Sequence, residues 1–265
     1  MRRPRARLGK MFPATGFLPV CLIAMGLSAE SCLGGARHFT FLYETTTSAP
    51  GSVELENWVT FRTGNPDQQR FSELDFRHEF EFGVTDRFQL SIYVADWRYQ
   101  TGFSDQVSGF AYSASAVEAI YNLTNPVIDP VGISIYQELK VGDRLVESES
   151  KLIAQKNFGP LIIAYNATLE AAWEGSNLHE QKGEFQQAFG VSYELSANLS
   201  AGIEMLHEFI FPEWRSQDET QNFFLGPNVS VRSGRWFGTI TALAQATQTG
   251  DEPDWQVRTI VGFGF

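Results

Sequence analysis

Strict alternation of polar and apolar side chains over stretches of ten or more residues constrains this chain more than any other feature. Residues 72–83 read SELDFRHEFEFG, in which Leu74, Phe76, His78, Phe80 and Phe82 alternate with Glu73, Asp75, Arg77, Glu79 and Glu81. A period of two marks a β-strand with one apolar and one polar face. After a turn from Val84 to Arg87 the pattern resumes at Phe88, Leu90, Ile92 and Val94, so the two stretches predict a long hairpin. Trp97 falls out of phase with Phe88 and Leu90, which predicts a bulge or a change of face near Ala95.

The same reading predicts twelve strands, near 53–62, 71–83, 87–98, 108–123, 132–142, 146–158, 160–174, 184–196, 198–210, 222–232, 236–246 and 255–265. Tight turns at 83–87, 157–160, 196–198 and 233–235 alternate with mostly longer polar connections such as TGNPDQQ, TGFSDQV, EGSNLHEQKG and FPEWRSQDETQ. Strands of soluble sandwiches are usually about five or six residues. The layout is that of an all-β, transmembrane, antiparallel up-and-down β-barrel of the bacterial outer membrane, with about twelve strands and ten or fourteen as alternatives. Closure follows because open strand edges do not exist in hydrocarbon. Hydropathy conceals the fold, since 43% hydrophobic residues is unremarkable when only every second side chain meets lipid. Residues 38–46, HFTFLYETT, also have strand character. They are expected as a periplasmic or lumen-associated segment within 37–52, and would raise the count to fourteen if they joined the wall.

The first 36 residues have the three-part layout of a secretory signal peptide: a basic start MRRPRARLGK, a mostly apolar stretch, then small residues. Cleavage is expected before Arg37, with Gly34 and Ala36 at the −3 and −1 positions; cleavage before Cys32 is the alternative. Without this leader 15 basic and 30 acidic side chains remain, a net −15, and no cysteine. That balance argues against nucleic acid as a partner and excludes a disulfide framework or a cysteine nucleophile. The barrel proper is expected over 53–265, exported by a Sec-type route to the outer membrane. Its expected partners are the membrane lipids, the barrel-assembly machinery and an unidentified small-molecule solute. The assembly signal is the amphipathic last strand ending VGFGF, with Val261, Phe263 and Phe265 on one face.

The strand phase directs charge inward, at Glu73, Asp75, Arg77, Glu79, Glu81, Glu138, Lys140, Glu170, Glu194, Glu204, Arg232 and Arg258. These are the expected pore-lining residues. A twelve-stranded lumen is intermediate between filled and open, and its acid excess favours cations. The expected function is therefore a passive channel or uptake porin with a narrow acidic lumen. The alternative is a non-transporting barrel with a structural or loop-binding role, and a lipid-modifying enzyme is a distant third. His78 sits among lipid-facing phenylalanines, but no serine and asparagine complete a hydrolase constellation, so no catalytic residue is expected. No cofactor or metal is expected either: His179 and His207 lack ligand spacing, and the acidic loop clusters around Asp218 and Asp251 lack calcium-loop spacing.

Two segments resemble a group of largely uncharacterised outer-membrane barrels, similar in style to those associated with the MetA pathway of phenol degradation. The first opens on Tyr43-Glu44 and runs through Gly51, Glu54, Glu56 and Trp58. The second is the hairpin with Glu79, Glu81, Gly83, Thr85, Asp86, Arg87 and Gln89. The resemblance implies a barrel in the outer membrane, with a role in moving small, apolar compounds as one expectation.

Overall fold

The computed structural model describes residues 37–64, 71–101, 109–250 and 252–265. The expected signal peptide and most of the loops TGNPDQQ and TGFSDQV lie outside the described residues. Twelve strands follow one another as β1 (Val53–Thr63), β2 (Ser72–Thr85), β3 (Phe88–Thr101), β4 (Gly109–Thr124), β5 (Gly132–Gly142) and β6 (Leu145–Phe158), then β7 (Leu161–Glu174), β8 (Glu180–Ser196), β9 (Leu199–Pro212), β10 (Thr220–Ser233), β11 (Trp236–Gln245) and β12 (Trp255–Gly264). Each pairs antiparallel with its neighbours in the chain, and β1 pairs with β12 from Glu54 opposite Gly264 to Thr63 opposite Trp255, so the sheet closes as a barrel. Closure leaves no edge, as a wall in lipid requires.

Local sequence explains the short-turn end. The β6–β7 and β10–β11 hairpins turn on Gly159 and Gly234, whose φ angles of 61° and 60° favour glycine. At the opposite end β8 begins earlier than expected, at Glu180, because Glu180 to Gly183 continue the register opposite Glu174 to Ala171. The expected bulge is present: the β2–β3 register shifts between His78 and Glu79, where Ala95 and Tyr93 are the successive partners. Beyond it Asp96 and Arg98 pair with Arg77 and Asp75 on the inner face, which turns Trp97 outward.

The outer surface is apolar and exposed, with Ile92, Leu139, Leu152, Leu169 and Leu225 among its large side chains. Trp236 and Phe158 flank the short turns, while Trp97 and Trp255 lie at the long-loop end, as two interfacial girdles do. Outward polar groups are paired within the wall: His78 Nδ1 meets Asn57 Oδ1 at 2.8 Å, and Gln137 bonds Ser148 and Ser150. Among the described residues no serine hydroxyl bonds to His78 or Asn57.

Residues 37–50 form no strand and run inside the barrel. Phe39, Phe41 and Leu42 are buried against Ile162, Ala164, Ala188, Leu206, Phe224 and Leu243 from the wall. Gly190 permits this packing, since a Cβ there would lie 2.6 Å from Phe39 and 2.8 Å from Leu42. The short-turn half of the lumen is therefore a packed core, and the long-loop half stays hollow. The wall itself is testable at mid-height. Leu152→Arg, on the lipid face, should destabilise the barrel by about 2–4 kcal/mol in denaturant titrations from lipid vesicles, following the depth dependence of charge in such walls.

Candidate functional site

Irregular backbone inside a barrel needs hydrogen-bond partners, and here inward side chains of the wall supply them. Asn166 on β7 grips Tyr43 twice: its Oδ1 accepts the Tyr43 N–H at 2.7 Å and its Nδ2 donates to the Tyr43 carbonyl at 2.9 Å. Glu204 on β9 accepts the N–H groups of Thr40 and Phe41 at 3.0 and 2.7 Å, and its remaining contacts are Asn228 and Thr241. Gln155 on β6 accepts Thr45 N–H at 2.8 Å, and Ser134 and Asn122 donate to the Thr45 carbonyl. Ser230 and Thr239 donate to the Arg37 carbonyl at 2.7 and 2.5 Å. Gln89 accepts Ser48 N–H at 2.8 Å, and Gly83, lacking a Cβ, admits the carbonyls of Ser48 and Ala49.

Arg37 carries the charge chemistry of the segment. Its Nε donates to Glu56 at 2.6 Å and its Nη2 to Glu81 at 2.7 Å, between the rings of Tyr43 and Trp58 at 4.7 and 5.0 Å. Burial acts to discharge this guanidinium, but Glu56 and Glu81 outweigh it and hold it charged. Tyr43 stacks edge-on against Tyr136 and its hydroxyl donates to Glu118 at 3.0 Å. At the short-turn mouth His38 lies between two carboxylates: Nδ1 is 2.9 Å from Glu44 and Nε2 is 3.5 Å from Glu194, which also meets Arg232 at 3.3 Å. Burial pulls the His38 imidazole down, yet the two carboxylates prevail and raise its pKa. Burial pushes Glu44 up, yet His38 prevails and lowers it.

Above the segment a cavity of about 820 Å³ opens at the long-loop end, floored by Thr40, Phe41 and Tyr43. Of the expected pore-lining residues, Glu73, Asp75, Arg77, Glu138, Lys140, Glu170 and Arg258 line it. Glu79, Glu81 and Glu204 also face inward but are buried around the segment, and Glu194 and Arg232 sit at the short-turn mouth. A ladder of carboxylates in direct opposition starts at buried Glu118 and runs along one wall of the cavity: Glu118 faces Glu138, Glu138 faces Glu149, Glu149 faces Glu170 and Glu170 faces Glu184. Opposed like charges destabilise a sheet unless countered. Lys140 meets Glu147 at 2.5 Å and Glu138 at 3.4 Å, Lys151 pairs with Glu149, and Lys182 meets Glu184 at 3.3 Å. The opposite wall is a tighter network, Arg62 bridging Glu73 at 2.6 Å and Asp75, and Arg98 reaching Asp75 at 2.8 Å. Cations also lie over aromatic faces, Arg77 at 4.2 Å from Tyr93 and Arg258 at 4.1 Å from Phe41.

Sequence reasoning missed Tyr93, Tyr136, Asn166 and Gln155. Their inward phase was available, but Asn166 and Gln155 serve backbone groups 123 and 110 residues away in the chain, and the rings of Tyr93 and Tyr136 find their cations on other strands. The motif residues Tyr43, Glu56, Trp58, Glu81, Gly83 and Gln89 converge on the seat of the segment.

The model of a family of unknown function, DUF6662, matches residues 33–259. The chain belongs to that family. Its fold is shared with the COG4313 outer membrane channel from Pseudomonas putida F1, at TM-score 0.61 and 11% identity over 83% of this chain and 98% of that one. It is also similar to the NanC porin, at TM-score 0.55 and 8% identity over 80% of this chain and 98% of the porin. No curated protein matches the sequence. The fold is thus that of outer-membrane barrels.

Two expectations follow from the seat. Asn166→Leu leaves the Tyr43 N–H and carbonyl without their partners, so the barrel should lose about 1–3 kcal/mol, and amide exchange across 38–46 should accelerate more than in β5 or β6. For pH, the raised His38 pKa gives stabilisation complete below the ordinary 6.5 and lost as pH rises through the higher folded value. The lowered Glu44 pKa gives stabilisation complete above 4.5 and lost as pH falls through the lower folded value. Exchange protection of the Thr40, Phe41 and Tyr43 amides should therefore peak between those two values, and His38→Asn should abolish the loss on the alkaline side.

Proposed function

We propose that this DUF6662 protein is an outer-membrane channel for small solutes, a passive pore or uptake porin whose extracellular vestibule is the charged cavity and whose periplasmic half is closed by residues 37–50. The observation that carries this reading is the hollow, charge-lined half of a closed barrel ending on a floor built from a separate segment rather than from wall. Eleven acidic and seven basic side chains line that vestibule, so it concentrates cations over anions. Wall residues Glu73, Asp75, Arg77, Glu138, Lys140, Glu170 and Arg258 are the proposed selectivity surface, and the buried, inward-facing Glu79, Glu81 and Glu204 become accessible to solute when the segment leaves. The likeness to a channel and a porin supports the pore reading at the level of fold, and the motif resemblance to MetA-pathway-like barrels supports uptake of small compounds. The outward face of Val261, Phe263 and Phe265 on β12 is the proposed signal to the assembly machinery.

The burial of Phe39 and Leu42 supports a second reading, a sealed barrel with a structural or loop-binding role. Planar-bilayer recordings separate the two. A channel should show discrete, cation-preferring conductance in the full barrel, rising several-fold when residues 38–46 are deleted. A barrel that is silent in both forms is not a channel.

A further inference from the structure

Where β1 meets β2, four carboxylates stand in direct opposition: Glu54 faces Glu81 and Glu56 faces Glu79, all inward and all buried. Carboxylate oxygens of Glu54, Glu56 and Glu81 lie within 4.8 Å of one another. Glu79 is 0% exposed, and neither of its oxygens has a hydrogen-bond partner among the described residues. Buried carboxylates at this density need positive charge beside them. What the segment places there is the guanidinium of Arg37, forked between Glu56 and Glu81 with the Trp58 ring beneath it. The Trp58 indole N–H also donates to the second Glu56 oxygen at 2.8 Å, which orients that carboxylate from the wall itself.

From this geometry we infer that Glu54, Glu56, Glu79 and Glu81, with Trp58, form a guanidinium-recognition site in the lumen, and that Arg37 is its tethered occupant. When the segment withdraws, the site takes the guanidinium group of a small organic cation. A ligand with a second positive charge fits better, because Glu79 has no partner even while Arg37 is seated. The inference rests on the channel reading, of which it specifies the solute class. A divalent metal ion would draw on the same oxygens, but two features select a planar cation. Two N–H groups of one guanidinium reach carboxylates on two different strands, and an aromatic ring lies 5.0 Å from its central carbon. Calcium takes six to eight oxygens and gains nothing from an indole ring.

The experiment is titration calorimetry on the folded barrel in detergent, wild type against Arg37→Ala, with methylguanidinium, agmatine and calcium chloride as probes. Folding is checked by heat-modifiable gel mobility. Vacating the site should let the Arg37→Ala barrel bind methylguanidinium about tenfold tighter than wild type, a change of about 1.4 kcal/mol. Agmatine should bind tighter still, and adding Glu79→Gln should remove its advantage. Equal binding by both barrels, binding by neither, or calcium bound where methylguanidinium is not, overturns the site. If Arg37→Ala does not fold, Asn166→Leu loosens the segment from the other side: tighter agmatine binding than wild type supports the site and equal binding overturns it. Bilayer recordings keep the two readings apart. A silent barrel that binds agmatine upholds the site and removes the channel, whereas a conducting barrel with no binding removes the site alone.

Discussion

Backbone pairing in a medium without water is the constraint on which everything else depends. Each wall N–H and C=O must find a partner in the neighbouring strand, so the sheet has to close, and β1 pairs with β12 over ten residue pairs. Closure then dictates the interior. Alternating strands bring their polar faces together in one narrow column, where acids outnumber bases. The carboxylate ladder across β4 to β8 and the arginine network of β1 to β3 are what this geometry makes of an acidic chain. The same demand explains the internal segment. Fourteen residues without strand or helix, 37–50, are tolerable in that column because amides, carboxylates and hydroxyls of the wall serve as their ladder partners, as Asn166 does for Tyr43.

Charge placement divides the lumen into two regimes. In the hollow half, lysines stand beside the carboxylates they counter and water can screen the remainder. Around the segment Arg37 and Arg77 are held both by acids and by aromatic faces, and Arg258 by the Phe41 ring, the Thr60 hydroxyl and the Thr40 carbonyl. Arginine suits this duty better than lysine, since its plane stacks and its fork spans two acceptors. The aromatic content of the chain thus serves two unrelated surfaces, the outer girdles and the internal cation seats. Trp58, which neighbours exposed Phe61 in β1, belongs to the second.

The strand set was readable because period-two alternation is local, and so was the bulge, because Trp97 broke phase within one strand. Inward charge followed from phase alone. Less was readable where partners are distant. HFTFLYETT has the composition of a strand, and what bars it from the wall is that β1 already has β12 and β2 on its two sides. The uncharged polar residues Asn166, Gln155, Ser134 and Thr239 had a predictable face but no predictable task, since each serves a backbone group 89 or more residues away in the chain. The start of β8 was missed because loop-like residues such as Gly183 were held by pairing with β7.

The distribution of the segment's partners also carries a consequence in time. Arg37 and Ser48 find Glu56, Glu81 and Gln89 as soon as the first hairpin and β3 exist, but Glu204, Ser230 and Thr239 arrive only with β9 to β11. The first described residues of the chain are therefore among the last to reach their final positions. Contacts spanning 164 to 202 residues must wait for the ring to form around them, and contacts of such separation are the slow ones in folding. Until then the segment is a leash on a half-made wall, and the lumen it later fills is open to whatever enters first.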